Sequence, residues 1–106
     1  MPKYLIRASY TAEGAKGLLA EGGTGRRAAV ENVLRPLGGT LESMYFAFGD
    51  EDLYCILDLP DQVSMAAVSL TVRASGALQS SAIPLLSPED VDTAARRQVD
   101  FRSPGA

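Results

Sequence analysis

The residues whose types and spacing best suit binding chemistry lie together in Glu21-Gly22-Gly23-Thr24-Gly25-Arg26-Arg27. An apolar run at helical spacing follows them. The first N–H groups of a helix have no partner within it, and the helix dipole is positive at that end. Glycines let an anion approach the backbone closely, and Arg26 or Arg27 could grip it through two parallel hydrogen bonds. Gly23, Thr24, Gly25, Arg26 and Arg27 are therefore candidate ligand-binding residues. The stretch is not a Walker-type phosphate loop, because no Gly-Lys-Ser/Thr follows at the required spacing. Nor does it follow a strand, as a dinucleotide fingerprint does. The competing reading makes it a joint between two helices, with the arginines paired to Glu21, Glu31 or a neighbouring subunit. Cations at a helix start are unfavourable unless something negative compensates them, which favours a partner of some kind.

A second candidate set is Arg7, Tyr10, Tyr45 and Tyr54, all on strand-like segments with Ser9 nearby. They could line an apolar cavity, between sheet and helices or between subunits, with a few polar groups to orient a ligand. Tyrosines on half-buried strands are also ordinary core residues whose hydroxyl reaches the edge. The single cysteine, Cys55, lies mid-strand among apolar residues, where it reads as a small hydrophobe. The chain has no histidine, which removes serine–histidine and cysteine–histidine catalysis, histidine-ligated haem and the usual transition-metal sites. Asp50-Glu51-Asp52 reads as a solvated hairpin tip rather than a cation site. No catalytic set emerges, and neither a metal nor a cofactor is expected.

The totals set the frame. A length of 106 residues suits one domain, 1–106, with 99–106 as an extended tail. Hydrophobic residues at 46% and charged residues at 22% are ordinary for a globular protein. A net charge of -3 and a pI near 4.8 argue against nucleic-acid binding, which rests on neutralising phosphates. One cysteine allows no internal disulfide. Without an apolar signal segment or a membrane-length run, a cytoplasmic location and no membrane partner are expected.

The elements that position these residues follow from pattern. Lys3–Tyr10 alternates as a first strand. Thr11 suits an N-cap for a short helix over about 12–20 that buries Ala15, Leu18 and Leu19 and ends at Gly22-Gly23. A second helix starts at Thr24 as N-cap, with a stripe of Ala29, Val30, Val33, Leu34 and Leu37, and stops at Gly38-Gly39. Thr40–Phe48 and Leu53–Leu59 form a hairpin. Strict alternation puts Leu41, Ser43, Tyr45 and Ala47 on one face of the second strand, and Glu42, Met44, Phe46 and Phe48 on the other. Asp61 caps a helix over Gln62–Ala74 that presents Val63, Ala66, Ala67, Leu70 and Ala74 to the core. Ala77–Leu86 is a fourth strand, placed at an edge by Pro84. Ser87-Pro88-Glu89-Asp90 starts a last helix.

The order β-α-β-β-α-β predicts an α+β fold, a ferredoxin-like sandwich with an antiparallel sheet and an extra C-terminal helix. Both alternation classes of the hairpin strands are largely apolar, so the face away from the helices needs cover. A second copy packed sheet to sheet supplies it, which predicts a homodimer or larger homo-oligomer. The alternative is that the C-terminal helix and tail fold over that face.

From Tyr4 to about Asp92 the chain resembles the GYD-domain family of small bacterial proteins. The resemblance is carried by Tyr10-Thr11 with Gly14, by Gly38-Gly39, by Tyr45, Gly49 and Asp52 at the hairpin, and by Pro60-Asp61. Glu51 stands where the family has its tyrosine. The resemblance implies the dimeric α/β-barrel version of the ferredoxin-like fold and no particular activity. Two functional readings follow from the residues. One is an oligomeric module binding a small, anionic metabolite at Gly22–Arg27. The other is a cofactor-independent enzyme on a small aromatic or carbonyl substrate, in an enclosed cavity ringed by Arg7, Tyr45 and Tyr54. A purely structural assembly protein is the remaining reading.

Overall fold

The computed structural model describes residues 1–106. The elements are β1 (Lys3–Tyr10), α1 (Ala12–Leu34), a 3₁₀ turn (Arg35–Leu37), β2 (Thr40–Phe46), β3 (Leu53–Asp58), α2 (Gln62–Ala74), β4 (Leu78–Leu85) and α3 (Pro88–Ala95). The four strands form one open antiparallel sheet in the order β2-β3-β1-β4. β1 and β3 are central, and β2 and β4 are the edges. Pro84, which has no N–H to donate, thus lies on an edge strand.

One face of the sheet carries the helices. Tyr4 and Ala8 of β1, Leu53, Cys55 and Leu57 of β3, and Leu59 beyond it are buried there. They pack with Leu34 of α1 and Met65 of α2. A β-bulge between Leu41 and Ser43 changes the face assignment of β2. Leu41, Met44 and Phe46 pair with the buried residues Leu57, Cys55 and Leu53, and Ser43 and Tyr45 fall on the other face. The sequence reading separated Leu41 from Met44 and Phe46; the extra residue of the bulge brings them together.

The opposite face is not uniformly apolar, as the alternation had predicted. Register places Leu85, Lys3, Asp58 and Thr40 in one row across it. Ile83, Leu5, Ile56 and Ser43 form the next row, and Ser81, Arg7, Tyr54 and Tyr45 the third. The apolar part is a band across the middle. It is flanked at one end by Lys3, whose ammonium lies 3.0 Å from Asp58 and 3.1 Å from Glu42. Neither α3 nor the tail covers this face: every residue from Leu86 onward is exposed.

α2 begins as expected, with the Asp61 carboxylate accepting from the Ser64 N–H at 2.7 Å. These bonds to the ionised form hold the Asp61 carboxyl below its usual range. Its orientation differs from the expected one. Met65, Val68, Ser69 and Val72 face the sheet, while Val63, at 79% exposure, Ala66, Ala67, Leu70, at 70%, and Ala74 face outward. The helix is apolar on both sides, so periodicity alone could not choose between them. α3 starts with a capping box between Ser87 and Asp90, as its sequence predicts.

The start of α1 is clasped to the start of β4. Thr11 caps the helix by accepting from Gly14 N–H at 3.2 Å, and its own N–H donates to Ala77 O at 3.0 Å. Gly14 sits so close to this connection that a Cβ there would collide with the Ala77 carbonyl oxygen and crowd the Tyr10 ring. Gly17, one turn on, faces open space. Gly14→Ala is therefore expected to lose about 2–3 kcal/mol of stability through overpacking. Gly17→Ala should instead gain about 0.5–1 kcal/mol from helix propensity. Urea denaturation of the two variants checks this, and equal effects would contradict the clasp.

Candidate functional site

α1 is two helical segments joined at Gly22, whose φ of 81° and ψ of 165° fall in a region open in practice only to glycine. The break is where the sequence placed it, but the second segment resumes at once. Thr24 is therefore not its N-cap; it lies exposed inside the first turn and its hydroxyl caps nothing. In the first segment only Gly14 and Leu18 turn toward the protein. Ala15 and Leu19 were expected in the core, yet both are exposed, Leu19 at 87%. The kink redirects the helix axis, so the apolar spacing does not run through it.

The remaining glycines shape the second segment. Gly23 lies against the Phe46 ring of β2, which a Cβ there would meet at 3.4 Å, an ordinary contact. A Cβ on Gly25 would stand 2.8 Å from Cγ of Glu21, so its absence lets Glu21 fold back over the helix. Glu21 reaches Arg26 there, Oε2 to Nη1 at 3.9 Å. Arg27, adjacent in sequence, is exposed and points elsewhere.

Arg26 turns inward, over the helix-bearing face of the sheet. α2 lies over β4, while α1 lies over β1 and β2, and a cleft remains between the two helices. Its outer part holds about 350 Å³ and is walled by Tyr10, Glu13, Glu21, Arg26, Thr71 and Ser75 among others. A narrow inner part of about 70 Å³ continues between the helices and the sheet, with walls that include Val30, Leu53, Cys55, Met65 and Val68. Arg26 borders both parts.

Tyr10 lies beside the Arg26 guanidinium without an aligned hydrogen bond to it. The Tyr10 hydroxyl and Arg26 Nε are both shut off from solvent, and neither has a partner. Polar atoms buried in this way are uncommon and costly. Burial pushes the Tyr10 phenol above its usual range, and the Arg26 charge offsets part of that shift. Two candidates from different parts of the sequence, Tyr10 and Arg26, thus meet at one cleft.

The other candidates do not join them. Arg7, Tyr45 and Tyr54 lie on the opposite face of the sheet. Tyr45 is 72% exposed and stands across from Tyr54. Arg7 borders a broad polar recess of about 640 Å³ with Ser9, Glu51, Arg73, Gln79 and Ser81. One chain by itself does not form the enclosed cavity that the catalytic reading expects around Arg7, Tyr45 and Tyr54. Glu13, Thr71 and Ser75 are wall residues outside the candidates that the sequence offers. Thr71 and Ser75 carry no distinguishing signal, since α2 also has Gln62, Ser64, Ser69 and Arg73, and both hydroxyls donate to their own helix carbonyls.

The acidic hairpin has structural work. Asp52 Oδ2 accepts from Tyr10 N–H at 2.9 Å, and Asp52 N–H donates to Ala8 O at 2.9 Å, so this residue finishes β1. Glu51 Oε2 accepts from the Ser9 hydroxyl at 2.7 Å. The hairpin therefore anchors the strand end that carries Tyr10.

These features describe an α+β protein with an open four-stranded sheet and a polar-mouthed cleft under a kinked helix. The GYD domain family matches residues 4–95, and the chain belongs to that family. Comparisons with curated proteins and with solved structures gave no significant match. No helix is long and apolar enough to cross a membrane.

Cys55 borders the inner cleft and is buried. Burial pushes its thiol up to about 11. The folded state then holds this proton more tightly than the unfolded chain does. The associated stability is present below the ordinary thiol value and is lost as pH rises from about 9 toward 11. At neutral pH, alkylation by iodoacetamide should be far slower in the folded protein than in the protein unfolded in urea. Equal rates would contradict the burial of the inner cleft.

Proposed function

We propose that this protein is a homo-oligomeric, non-catalytic module that binds a small anionic metabolite in the cleft between α1 and α2. The observation that carries the reading is the pair of solvent-excluded, unpartnered groups, Tyr10 Oη and Arg26 Nε, at the cleft wall. Both atoms are covered in the structure; an anion that displaces Glu21 and shifts the side chains over them accepts from both, converting two unsatisfied donors into charge-assisted hydrogen bonds. Glu21 holds Arg26 only at 3.9 Å, a contact weak enough for an entering anion to displace. Among the glycine-rich residues, Arg26 is the anchor, Gly22, Gly23 and Gly25 shape its approach, and Thr24 and Arg27 stand outside.

Thermal-shift measurements with short carboxylates and inorganic phosphate test this. The wild-type melting temperature should rise by several degrees at ligand concentrations far above Kd, as mass action requires. Arg26→Ala should lose that rise, and Arg27→Ala should keep it. An Arg26→Ala protein that responds like the wild type would refute the site.

The strand order β2-β3-β1-β4 with helices on one face supports the ferredoxin-like reading, and the open sheet leaves its second face for another copy. The band of Leu5, Ile56, Ile83, Tyr45 and Tyr54 is an apolar surface of the kind soluble monomers cover. Two such faces packed together make a dimer that closes toward a barrel. Light scattering should give at least twice the 11.2 kDa chain mass. Tyr45→Glu, which places a charge in the band, should reduce the mass to that of one chain. A monomeric wild type, or an oligomer indifferent to Tyr45→Glu, would contradict the sheet-to-sheet arrangement.

A further inference from the structure

The cleft's charges do not suit a simple anion. Arg26 is the only cation on the wall of the outer chamber, whereas Glu13 and Glu21 both border it. A monocarboxylate would neutralise Arg26 and still face two carboxylates, one of which it had just displaced from its cation. Like charges at that range in a partly enclosed space repel. Lys16 offsets Glu13 at 3.7 Å from outside the chamber, which leaves Glu21 without a cation once Arg26 is taken.

We infer that the cleft is built for a free α-amino acid with a short aliphatic side chain; the inference rests on the binding reading above. Once Glu21 and the side chains covering Arg26 Nε and the Tyr10 hydroxyl shift, its carboxylate takes both groups. Its ammonium, one carbon away, takes the place of Arg26 as the partner of Glu21. The two existing groups are already 3.9 Å apart, a spacing that a carboxylate and its α-ammonium can bridge. The third substituent of the α-carbon then points along Arg26 into the inner chamber. That chamber holds about 70 Å³ and is walled mainly by apolar side chains, Val30, Leu53, Met65 and Val68 among them, with Ser69 and Ser80 as uncharged polar members; no charged group other than Arg26 borders it. The chamber is narrow, which suits a short hydrocarbon chain better than an aromatic ring. A polar side chain would find only Ser69, Ser80 and Arg26 to bond with, so a hydrocarbon chain suits the largely apolar wall better.

Isothermal titration calorimetry on the full chain separates the parts of this inference. The probes are alanine, valine, leucine, serine and phenylalanine as free amino acids, with isovalerate and isobutylamine as the counterparts of valine lacking one charge. Valine or leucine should bind at least ten-fold more tightly than isovalerate, isobutylamine, serine or phenylalanine. Glu21→Gln should remove most of the advantage over isovalerate while leaving isovalerate binding equal or improved, and Arg26→Ala should abolish binding of both. Circular dichroism confirms that the variants are folded. Isovalerate binding as tightly as valine, through Arg26, would overturn the amino-acid inference and leave the anion reading standing. Tighter binding of serine or phenylalanine would overturn the assignment of the inner chamber. No binding of any probe would overturn the inference and remove the support for the site itself.

Discussion

Gly22 is held at φ 81° and ψ 165°, and the placement of everything that reads as functional depends on that one backbone conformation. A straight helix of this length would carry Arg26 on a line set by Thr11 and Gly14, where α1 is clasped to β4. The break frees the second segment to follow β2, with Gly23 against Phe46 and Leu34 in the core. That path turns Arg26 under the helix and leaves Arg27 in solvent. It also opens the space between α1 and α2. The glycines are thus architectural, and the arginine they aim is the one on which the proposed site depends.

The second constraint is the thinness of the core. Only 11 of 106 residues are buried, which leaves the stability of one chain resting on a single layer of contacts between sheet and helices. Apolar surface stays uncovered in several places, among them the band across the open sheet face, the outer stripe of α2, and Val91, Val99 and Phe101 on the C-terminal arm. The arm leaves the body of the protein after β4, and the Cα radius of gyration is 17.0 Å. A compact chain of this length would have a radius of about 13 Å. The second copy proposed above would cover the band on the open sheet face.

Much of the fold was legible in the sequence because its punctuation is strong. Thr11, Asp61 and Ser87 cap where capping chemistry predicts, Gly38 and Gly76 take left-handed conformations after their helices, and Pro84 lies on an edge strand. Faces were less legible. The bulge at Leu41/Ser43 has no local signature, and it reverses the alternation of the rest of β2. α2 has apolar stripes on both sides, and the larger residues Met65, Val68 and Val72 took the core over the Ala-rich stripe. The candidate site was only partly legible. Residue type singled out Tyr10 and Arg26, but nothing in the spacing could separate Arg26 from Arg27 or split Tyr10 from Arg7, Tyr45 and Tyr54. That separation comes from the angle of the kink and from which face of β1 meets the helices, both tertiary properties.

The central claim is that Tyr10 and Arg26 are kept unpartnered for a ligand and not for the fold. The unfolding free energy of Tyr10→Phe without ligand tests it most directly. A hydroxyl that makes no hydrogen bond and is buried contributes nothing favourable, so the variant should be as stable as the wild type or more so. A loss of about 1 kcal/mol or more, the amount typical of a hydrogen bond that was in fact made, would contradict the account.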